Sequence, residues 1–422
     1  MENTKKRKRS DEVNDRSLVA LLDRRGQLMR PGRHRPGEDK ESNLVLYRLL
    51  LKCAAAVERK DATCSTEALQ QLYRAVSFSG DPVQRVAAYF ADGLAARCFS
   101  RGSLFLGSAS ADPSPAEEFS AFAALYRASP YYQFAHFTAN QAIIEAFEEE
   151  EPKNEGCLHV VDLDVSHGFQ WPSLIQSLSD KATGSCPINL RITGFGHSAS
   201  ELRETEKRLS SFAGGCRNLS FEFEGRLRGE KRTQLEAKTN TTIAVNMVLC
   251  LHTLRNSSEI SSTLLQIQAL NPSVVTLVEK EGGMRAGSPH GSFLSRFVES
   301  LQYFEAMFDS LDDCLPAESK ERLRIERHHL GREIKKEVED DELRYEGLET
   351  WKSLMEGSGF EGARMSSRSV SQAKLLLKIR SHSSAMDEHG CGFRVSERDE
   401  GRAISLGWGD RRLITATSWR RA

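Results

Sequence analysis

The sequence predicts a doubly wound α/β core with a helical region attached to it, and three observations lead to this prediction. From residue 157 onward, short apolar runs bounded by turn residues alternate with segments of helical periodicity, the pattern of a parallel sheet covered by helices on both faces. Residues 43–59 and 82–98 carry their apolar side chains at helical spacing. The 422 residues are enough for one large core and a smaller attached region, since single cores rarely grow beyond about 300 residues.

The composition argues against several classes of protein. Hydrophobic residues make up 39% and charged residues 28%, as in ordinary globular chains, and the formal net charge of -1 creates no overall field for nucleic acid. No run of about 18 uncharged apolar residues occurs, and the basic start lacks the apolar stretch of a signal peptide. We therefore expect an intracellular protein that does not contact membranes.

Metal and disulfide chemistry also lack support in the sequence. The nine cysteines are scattered without a C-x-x-C pair, so neither a thiolate zinc site nor a disulfide framework is indicated. His328 and His329 are adjacent, and adjacent residues of a helix point to different faces. We expect no metal and no cofactor.

Residues 1 to 42 have the polar, charged composition of a disordered arm, in which Pro31 and Pro36 interrupt any long helix. Near its start are five consecutive cations, Lys5, Lys6, Arg7, Lys8 and Arg9. Such a run fits an acidic groove on an import receptor or a phosphate backbone, and a solvated tail is the plain alternative. For an intracellular protein we favour a nuclear-import signal.

Helix signals follow the arm. Asn43 is suited to cap a helix that reaches about Arg59, and Asp81 with Pro82 starts another. Residues 100–115 are rich in Gly, Ser, Ala and Pro and indicate a loop, after which helical patterns resume from 119 to 151. We divide residues 43–422 into a mainly helical cap subdomain, 43–115, and an α/β core with further helical insertions, 116–422.

Buried strands are predicted from Cys157, where CLHVVDLDV is a nearly continuous apolar run. Further strands are predicted at 188–193, 219–223, 242–247 and 274–279, with crossover helices such as 200–213 and 258–270. Near the end of the chain, strands are predicted at 392–395, 403–408 and 413–419, joined by turns at 397–401 and 409–410.

Several sequence blocks carry a family resemblance. The first comprises His159, Val160, Val161, Asp162 and Asp164, continuing through Gly168, Gln170 and Trp171. Asn246 with LH at 251–252 follows, then NPSVVTLVEKE at 271–281, YFEAMFDSLD at 303–312 and LGREI at 330–334. The chain closes with Trp351, the LGW that ends at Trp408, and Ser418 with Trp419. In this order, from residue 43 to the end, the blocks resemble the plant GRAS family of SCARECROW-like transcription regulators, whose VHIID motif matches the first block.

The resemblance implies a nuclear regulator of transcription that keeps a Rossmann-like, methyltransferase-like outline but has lost the methyl-donor site. It implies contacts with other transcription factors and homo- or heterodimers within the family, through leucine-rich helices at 44–57 and 134–147. Direct contact with promoter DNA stays open. The arm has no acidic DELLA-type motif, so control by the gibberellin receptor is not expected.

The turn after the first strand argues against a methyl donor. A donor pocket needs glycines there so that the backbone can approach the ligand, but Asp164 and Ser166 take those places and leave only Gly168. Asp162 and Asp164 could form a general acid/base pair. We favour instead hydrogen bonds to the backbone or to Trp171 that hold the turn.

A G-x-G-x-x-A fingerprint for dinucleotides runs from Gly194 to Ala199, between a predicted strand and a predicted helix. It follows the second strand rather than the first, and no acid ends the next strand at the expected offset. G-x-S-x-G and P-loop motifs are absent from the sequence. We expect no enzyme, and an S-adenosylmethionine-dependent methyltransferase is the remaining catalytic alternative.

Two L-x-x-L-L strings are candidates for partner binding, since on a helix they form a narrow apolar strip. The first contains Leu18, Leu21 and Leu22, and the second contains Leu46, Leu49 and Leu50. For the second we favour core packing. The first lies in a polar arm and is the better candidate for folding upon binding.

Candidates for DNA contact are the basic residues Arg322, Arg324, Arg327, His328, Arg332, Lys335 and Lys336. The alternative is a solvated face whose field is neutralised by the interleaved glutamates. A second basic group comprises Arg411, Arg412, Arg420 and Arg421. Neither group belongs to a helix-turn-helix or zinc-finger pattern, so we favour a nuclear regulator that acts chiefly by protein contacts over a sequence-specific DNA-binding factor.

Overall fold

The computed structural model describes residues 38–99, 114–229, 240–254, 256–282, 292–316, 318–340, 346–380 and 392–422. The predicted import signal, Lys5 to Arg9, and the first leucine motif, Leu18, Leu21 and Leu22, lie outside the described residues. Most of the predicted loop at 100–115 lies outside them as well.

Helices form the first part of the described chain. They are α1 (Glu38–Glu58), α2 (Ala62–Ala75), α3 (Pro82–Phe99), α4 (Pro115–Ala128), α5 (Pro130–Glu149) and the single turn α6 (Glu151–Asn154). Their starts are set locally, since Ser114 and Glu117 form a capping box on α4 and Ser129 caps α5. Proline occupies an early position in both helices, where its missing N–H has no partner to lose.

The parallel part of the sheet follows. Its elements are β1 (Cys157–Asp162), α7 (Trp171–Lys181), β2 (Ile188–Gly196), α8 (Ala199–Ala213), β3 (Leu219–Leu227), β4 (Thr242–Val248), α9 (Ser257–Ala269) and β5 (Val274–Lys280). The strand order is β3-β2-β1-β4-β5, all parallel. The predicted doubly wound core is confirmed, with its switch point between β1 and β4.

The remaining elements complete the sheet and its cover. They are α10 (Phe293–Cys314), α11 (Lys320–Ile325), a π-helical turn (Glu326–Leu330), α12 (Gly331–Glu339), α13 (Leu348–Gly357), β6 (Phe360–Ala363), α14 (Ser367–Arg380), β7 (Phe393–Arg398), β8 (Ala403–Trp408) and β9 (Arg411–Arg421). Strand β9 runs antiparallel to β5, and β8 and β7 extend the sheet. The sequence did not predict β6, because its four residues include a glycine and are too short for a visible pattern.

Side chains on the two faces of the sheet enter different cores. Val160 packs with α5, α7 and α8, whereas its neighbour Val161 packs with α9, α13 and Trp419. A third cluster joins α1, α2 and α3 to α10, α12, β8 and β9. Helices α10 and α12, which follow β5 in sequence, therefore pack with α1, α2 and α3, and we call these five helices the helical layer.

Two local expectations were wrong. Helix α1 begins at Glu38 and Asn43 is buried inside it, so Asn43 is no cap. Strand β2 extends to Gly196, so Gly194 and Gly196 are strand residues rather than part of a loop between strand and helix.

Candidate functional site

The switch point between β1 and β4 is where doubly wound folds bind their ligands, at the carboxyl ends of the strands. Asp162, the last residue of β1, is paired in register with Asn246 of β4. Their side chains are 2% and 0% exposed. Two polar groups are thus buried side by side at the position of the ligand crevice.

The Asp162 carboxylate accepts hydrogen bonds from three donors. Trp171 Nε1 donates to Oδ2 at 3.1 Å, and Asn246 Nδ2 donates to Oδ1 at 3.0 Å. The backbone N–H of Asp164 also donates to Oδ1, at 3.3 Å. The predicted bonds to Trp171 and to the backbone are present, and they fix the turn to the helix that follows.

Asn246 connects this carboxylate to a wider network. Its Oδ1 accepts from Gln170 Nε2 at 2.9 Å and from Thr276 Oγ1 at 3.0 Å. Its Nδ2 also donates to Gln170 Oε1 at 3.1 Å. Gln170 Nε2 reaches Asn140 Oδ1 of α5 at 3.0 Å. Side chains of β1, β4, β5, α5 and the turn before α7 therefore fill the crevice, and we call these five residues with Trp171 the switch-point network.

Burial raises the pKa of Asp162 to about 7, although the hydrogen bonds from Asn246 and Trp171 lower it and the nearby Asp164 raises it. The carboxyl group is 2% exposed and has protein partners on both oxygens. A reacting substrate would have to displace one of them. The geometry favours a structural role over acid/base catalysis.

The turn after β1 lies directly on β2. Val165 is buried, and its backbone N–H donates to Phe195 O at 2.9 Å. A Cβ placed on Gly194 would come within 2.9 Å of Val165 Cβ. The glycine thus permits close packing between turn and strand, and the G-x-G-x-x-A fingerprint has a packing explanation.

Asp164 is committed to an ion pair beside this turn. Arg228 Nη2 lies 2.5 Å from Asp164 Oδ2, and Arg228 Nη1 donates to Thr253 Oγ1 at 3.3 Å. The pair therefore connects the turn after β1 to the residues that follow β3 and β4. Its position agrees with the expectation that a methyl donor has no free cradle there.

A second group of buried polar residues, separate from the switch-point network, lies at the carboxyl end of β5. Glu279 accepts from His252 at 2.7 Å and from the backbone of Leu251 at 2.6 Å. Lys280 is buried between Glu333 and Glu337 of α12, at 3.4 and 3.2 Å. Although burial lowers the pKa of Lys280, the two carboxylates raise it above its usual value. These contacts connect the carboxyl end of β5 to the helices that pack over it.

Several network members were not predicted as site residues. Asn140 is a buried polar residue of α5, as are His136 and Thr138, and Thr276 interrupts the apolar run of β5. A polar residue at a core position is the sequence signal that could have found both. Arg228 gives no such signal, because it follows a half-exposed strand.

The basic candidates for DNA contact lie along α11, the π-helical turn and α12, and several of them are buried or paired. Arg322 is buried and pairs with Asp312 at 2.9 Å, so it is not a surface residue. Arg324 donates to Ser120, and Arg332 pairs with Glu118 of α4. Arg327, His328, Lys335 and Lys336 are exposed or half-buried. The neutralising glutamates include residues of α4 as well as neighbours in sequence.

The second basic group is paired too. Arg411 lies 3.1 Å from Glu299, and Arg420 lies 2.5 Å from Glu149. Arg421 donates to Asn271 at 2.8 Å, and Arg412 is exposed. These residues hold β9 to its neighbours.

The second leucine motif is part of the core. Leu46 and Leu50 are each 1% exposed, and Leu49 is partly buried against the same cluster. This burial agrees with the favoured explanation, core packing, and in this fold Leu46 and Leu50 present almost no surface to a partner. Helix α5 likewise buries most of the implied surface at 134–147.

The C-terminal motif residues are packed around β9. Trp419 and Trp351 are 3% and 4% exposed and share one core cluster. Ser418 is buried in β9, and Trp408 at the end of β8 donates from Nε1 to Asp309 at 2.7 Å. A pocket of about 170 Å³ lies beside Trp419, lined also by Lys352, Asp399 and Arg402. None of its lining residues belongs to the switch-point network.

Among the described residues, none of the helices combines the length and the apolar character that a membrane span requires. Within the same residues, no three His, Cys, Asp or Glu side chains are grouped so that they could hold a metal ion.

The fold and the site define a doubly wound α/β protein whose ligand crevice is filled by its own side chains. Ion pairs connect the carboxyl end of its strand β5 to helix α12. Comparison with known proteins agrees with this class. The model of the GRAS domain family matches residues 46–420. The chain belongs to the GRAS domain family.

Individual relatives lead to the same assignment. Protein SCARECROW of Ipomoea nil is 34% identical over 427 residues, 97% of this chain and 51% of the relative. Protein SCARECROW 1 of Oryza sativa subsp. indica is 37% identical over 400 residues, 90% of this chain and 56% of the relative. The chain thus spans about half the length of these relatives. The crystal structure of SCL7 in Oryza sativa is 31% identical with a TM-score of 0.70, covering 89% of this chain and 99% of that chain.

Proposed function

We propose that this chain is a nuclear regulator of transcription that works through contacts with DNA-bound proteins and catalyses no reaction. The observation that carries the proposal is the switch-point network, which fills the crevice that a substrate or cofactor would need. Membership of the GRAS domain family supports the regulatory role. The partners proposed are other transcription factors, a second family member as homo- or heterodimer, and a nuclear-import receptor.

The proposal is tested by tethering. The full chain is fused to a heterologous DNA-binding domain and directed to a reporter gene in plant cells. We expect a change in transcription of the reporter. The matched control is the fusion with Asn246→Ala, which should lose the effect because its fold is weakened. A folded fusion that leaves transcription unchanged would contradict the proposal.

Sequence-specific DNA binding is the second candidate, because Lys335 and Lys336 have no ion-pair partner within the described residues. The test is selection of the purified full chain against random duplex DNA, followed by salt titration of any winner. A motif that is enriched and survives physiological salt would make this chain a DNA reader. No enrichment, or binding lost with salt, fits a co-regulator.

Nuclear location is a separate part of the proposal and rests on Lys5 to Arg9. A fluorescent fusion with all five residues changed to Ala should move to the cytoplasm, because the import receptor recognises clustered positive charge. The matched control changes Arg24 and Arg25 to Ala. A five-alanine fusion that stays fully nuclear would show that this segment is not the sole signal.

A further inference from the structure

Helix α14 presents large apolar side chains to solvent. Leu375 and Ile379 are 53% and 63% exposed, whereas Val370, Ala373 and Leu376 on the opposite side of the helix are buried. Residues four apart on a helix are neighbours, so the two exposed side chains form one apolar patch. We call this pair the α14 patch.

The helix around the patch is strongly basic. It contains no carboxylate, and its four cations are Arg368, Lys374, Lys378 and Arg380. Lys374 lies 3.6 Å from Glu397, with both side chains more than half exposed, and such surface pairs contribute little. An apolar pair flanked by lysines favours an occupant that is both apolar and acidic.

The chain itself contains a segment of that chemistry, residues 11–23. Leu18, Leu21 and Leu22 are spaced for one face of a helix, and the segment also carries Asp11, Glu12, Asp15 and Asp23 against the single cation Arg16. It lies outside the described residues.

The connection to the described chain is long enough. Asp23 and Glu38 are fifteen positions apart, and an extended chain of that length spans about 50 Å. Helix α1 starts at Glu38 and packs against α10. Buried residues of α14 belong to the same hydrophobic cluster as residues of α1 and α10. The first described helix and α14 therefore lie in one part of the fold.

We propose that the segment of residues 11–23 binds the α14 patch of the same chain. The three leucines contact Leu375 and Ile379, and the carboxylates of the segment lie against Lys374 and Lys378. Tethering raises the effective concentration of the segment to the millimolar range, so a modest intrinsic affinity is sufficient. The contact would cover the patch until a competing partner displaces the segment.

The test is zero-length carbodiimide cross-linking of the full chain, followed by mass spectrometry. Unlabelled and ¹⁵N-labelled chains are mixed so that links within one chain are distinguished from links between two copies. We expect links between the carboxylates of residues 11–23 and Lys374 or Lys378, formed within single chains.

Two variants keep every reacting group and remove only apolar contact. Changing Leu18, Leu21 and Leu22 to Ser, or Leu375 and Ile379 to Ser, should lower the yield of these links more than about tenfold, since buried leucine surface is lost. Leu265→Ser, at a 59% exposed site on α9, should leave the yield unchanged. Absent links, or a yield unaffected by the serine variants, would overturn the proposal. If every link joined an unlabelled chain to a ¹⁵N-labelled chain, the segment would bind the patch of a second copy, and the proposal would be overturned as well.

Discussion

Asn246 has a role in the switch-point network that few other side chains could take. Its amide donates to Asp162 and Gln170 and accepts from Gln170 and Thr276. A carboxylate at this position would place a second negative charge about 3 Å from Asp162, and an apolar side chain would leave several buried groups without partners. The amide side chain can pair with the Asp162 carboxylate and also with the donors of Gln170 and Thr276, because it has both N–H donors and an acceptor oxygen.

Replacing Asn246 by Ala should therefore destabilise the protein by about 2–4 kcal/mol, because Asp162, Gln170 and Thr276 each lose a buried partner. The measurement is the free energy of unfolding from denaturant titration followed by circular dichroism. Asn189→Ala, at an exposed position in β2, is the matched control and should change stability by less than about 0.5 kcal/mol. Equal effects of the two variants would show that the network does not stabilise the fold.

His136 gives a prediction about pH. It is 7% exposed in α5, and burial lowers its pKa to about 3. The native state thus keeps His136 neutral while the unfolded chain takes up a proton below about pH 6.5. Stability contributed by neutral His136 is present above that value and is lost as the pH falls toward 3.

The variant His136→Phe should remove this part of the pH dependence. Between pH 6 and pH 4 the free energy of unfolding of the native chain should fall more steeply than that of the variant, by up to about 1.4 kcal/mol per pH unit. The measurement is denaturant titration at several pH values. If both proteins lose stability in parallel, burial does not hold His136 neutral.

At the scale of elements, buried ion pairs connect helices that are distant in sequence. Arg85 of α3 donates to Glu326 of the π-helical turn at 3.0 Å and lies 2.5 Å from Asp312 of α10. Arg85 is 1% exposed and Glu326 is 0% exposed. Burial raises the pKa of Glu326 to about 7, and the nearby Arg85 and Arg322 lower it. The helical layer thus depends on a charged contact that cannot be solvated.

Arg85→Leu should consequently cost about 3–5 kcal/mol, because Glu326 and Asp312 would lose a buried positive partner. The matched control is Arg127→Leu, which removes an exposed ion pair with Glu321 and should cost less than about 1 kcal/mol. Thermal unfolding followed by calorimetry provides both values. A small loss for Arg85→Leu would mean that water enters the layer and solvates the carboxylates.

At the scale of the whole molecule, the outline of a ligand-binding fold is kept and its crevice is filled. The turn after β1 packs onto β2 through Val165, and Asp164 pairs with Arg228. A methyl donor placed there would meet these side chains and a carboxylate of the same sign as its own.

We therefore expect no binding of S-adenosylmethionine to the full chain with a Kd tighter than about 100 μM, which corresponds to about 5.5 kcal/mol. Isothermal titration calorimetry is the measurement, and an active methyltransferase under the same buffer conditions is the positive control. Tighter binding at one site per chain would mean that the crevice opens and would restore the enzymatic alternative.

Much of the fold could be predicted because burial leaves a direct trace in sequence. β1, β4 and β5 are buried on both faces and appear as continuous apolar runs, and the predicted strand at 403–408 agrees with β8. Exposed or short strands leave a weaker trace. β2 and β3 both extend beyond their predicted ends, and β6 was missed.

The sequence by itself determined the family and the doubly wound core, and it led to the expectation that Asp162 bonds the backbone or Trp171, because these depend on local periodicity and on residues close together in the chain. Only the tertiary structure decided that Asn140 and Asn246 meet Gln170, that Thr276 meets Asn246, and that Arg322 is buried. The contacts of the switch-point network with Asn140 and Thr276 join residues 30 positions apart, and Asn246 is 76 positions from Gln170. Their formation depends on which helix covers which strand, and periodicity in sequence carries no information on that choice.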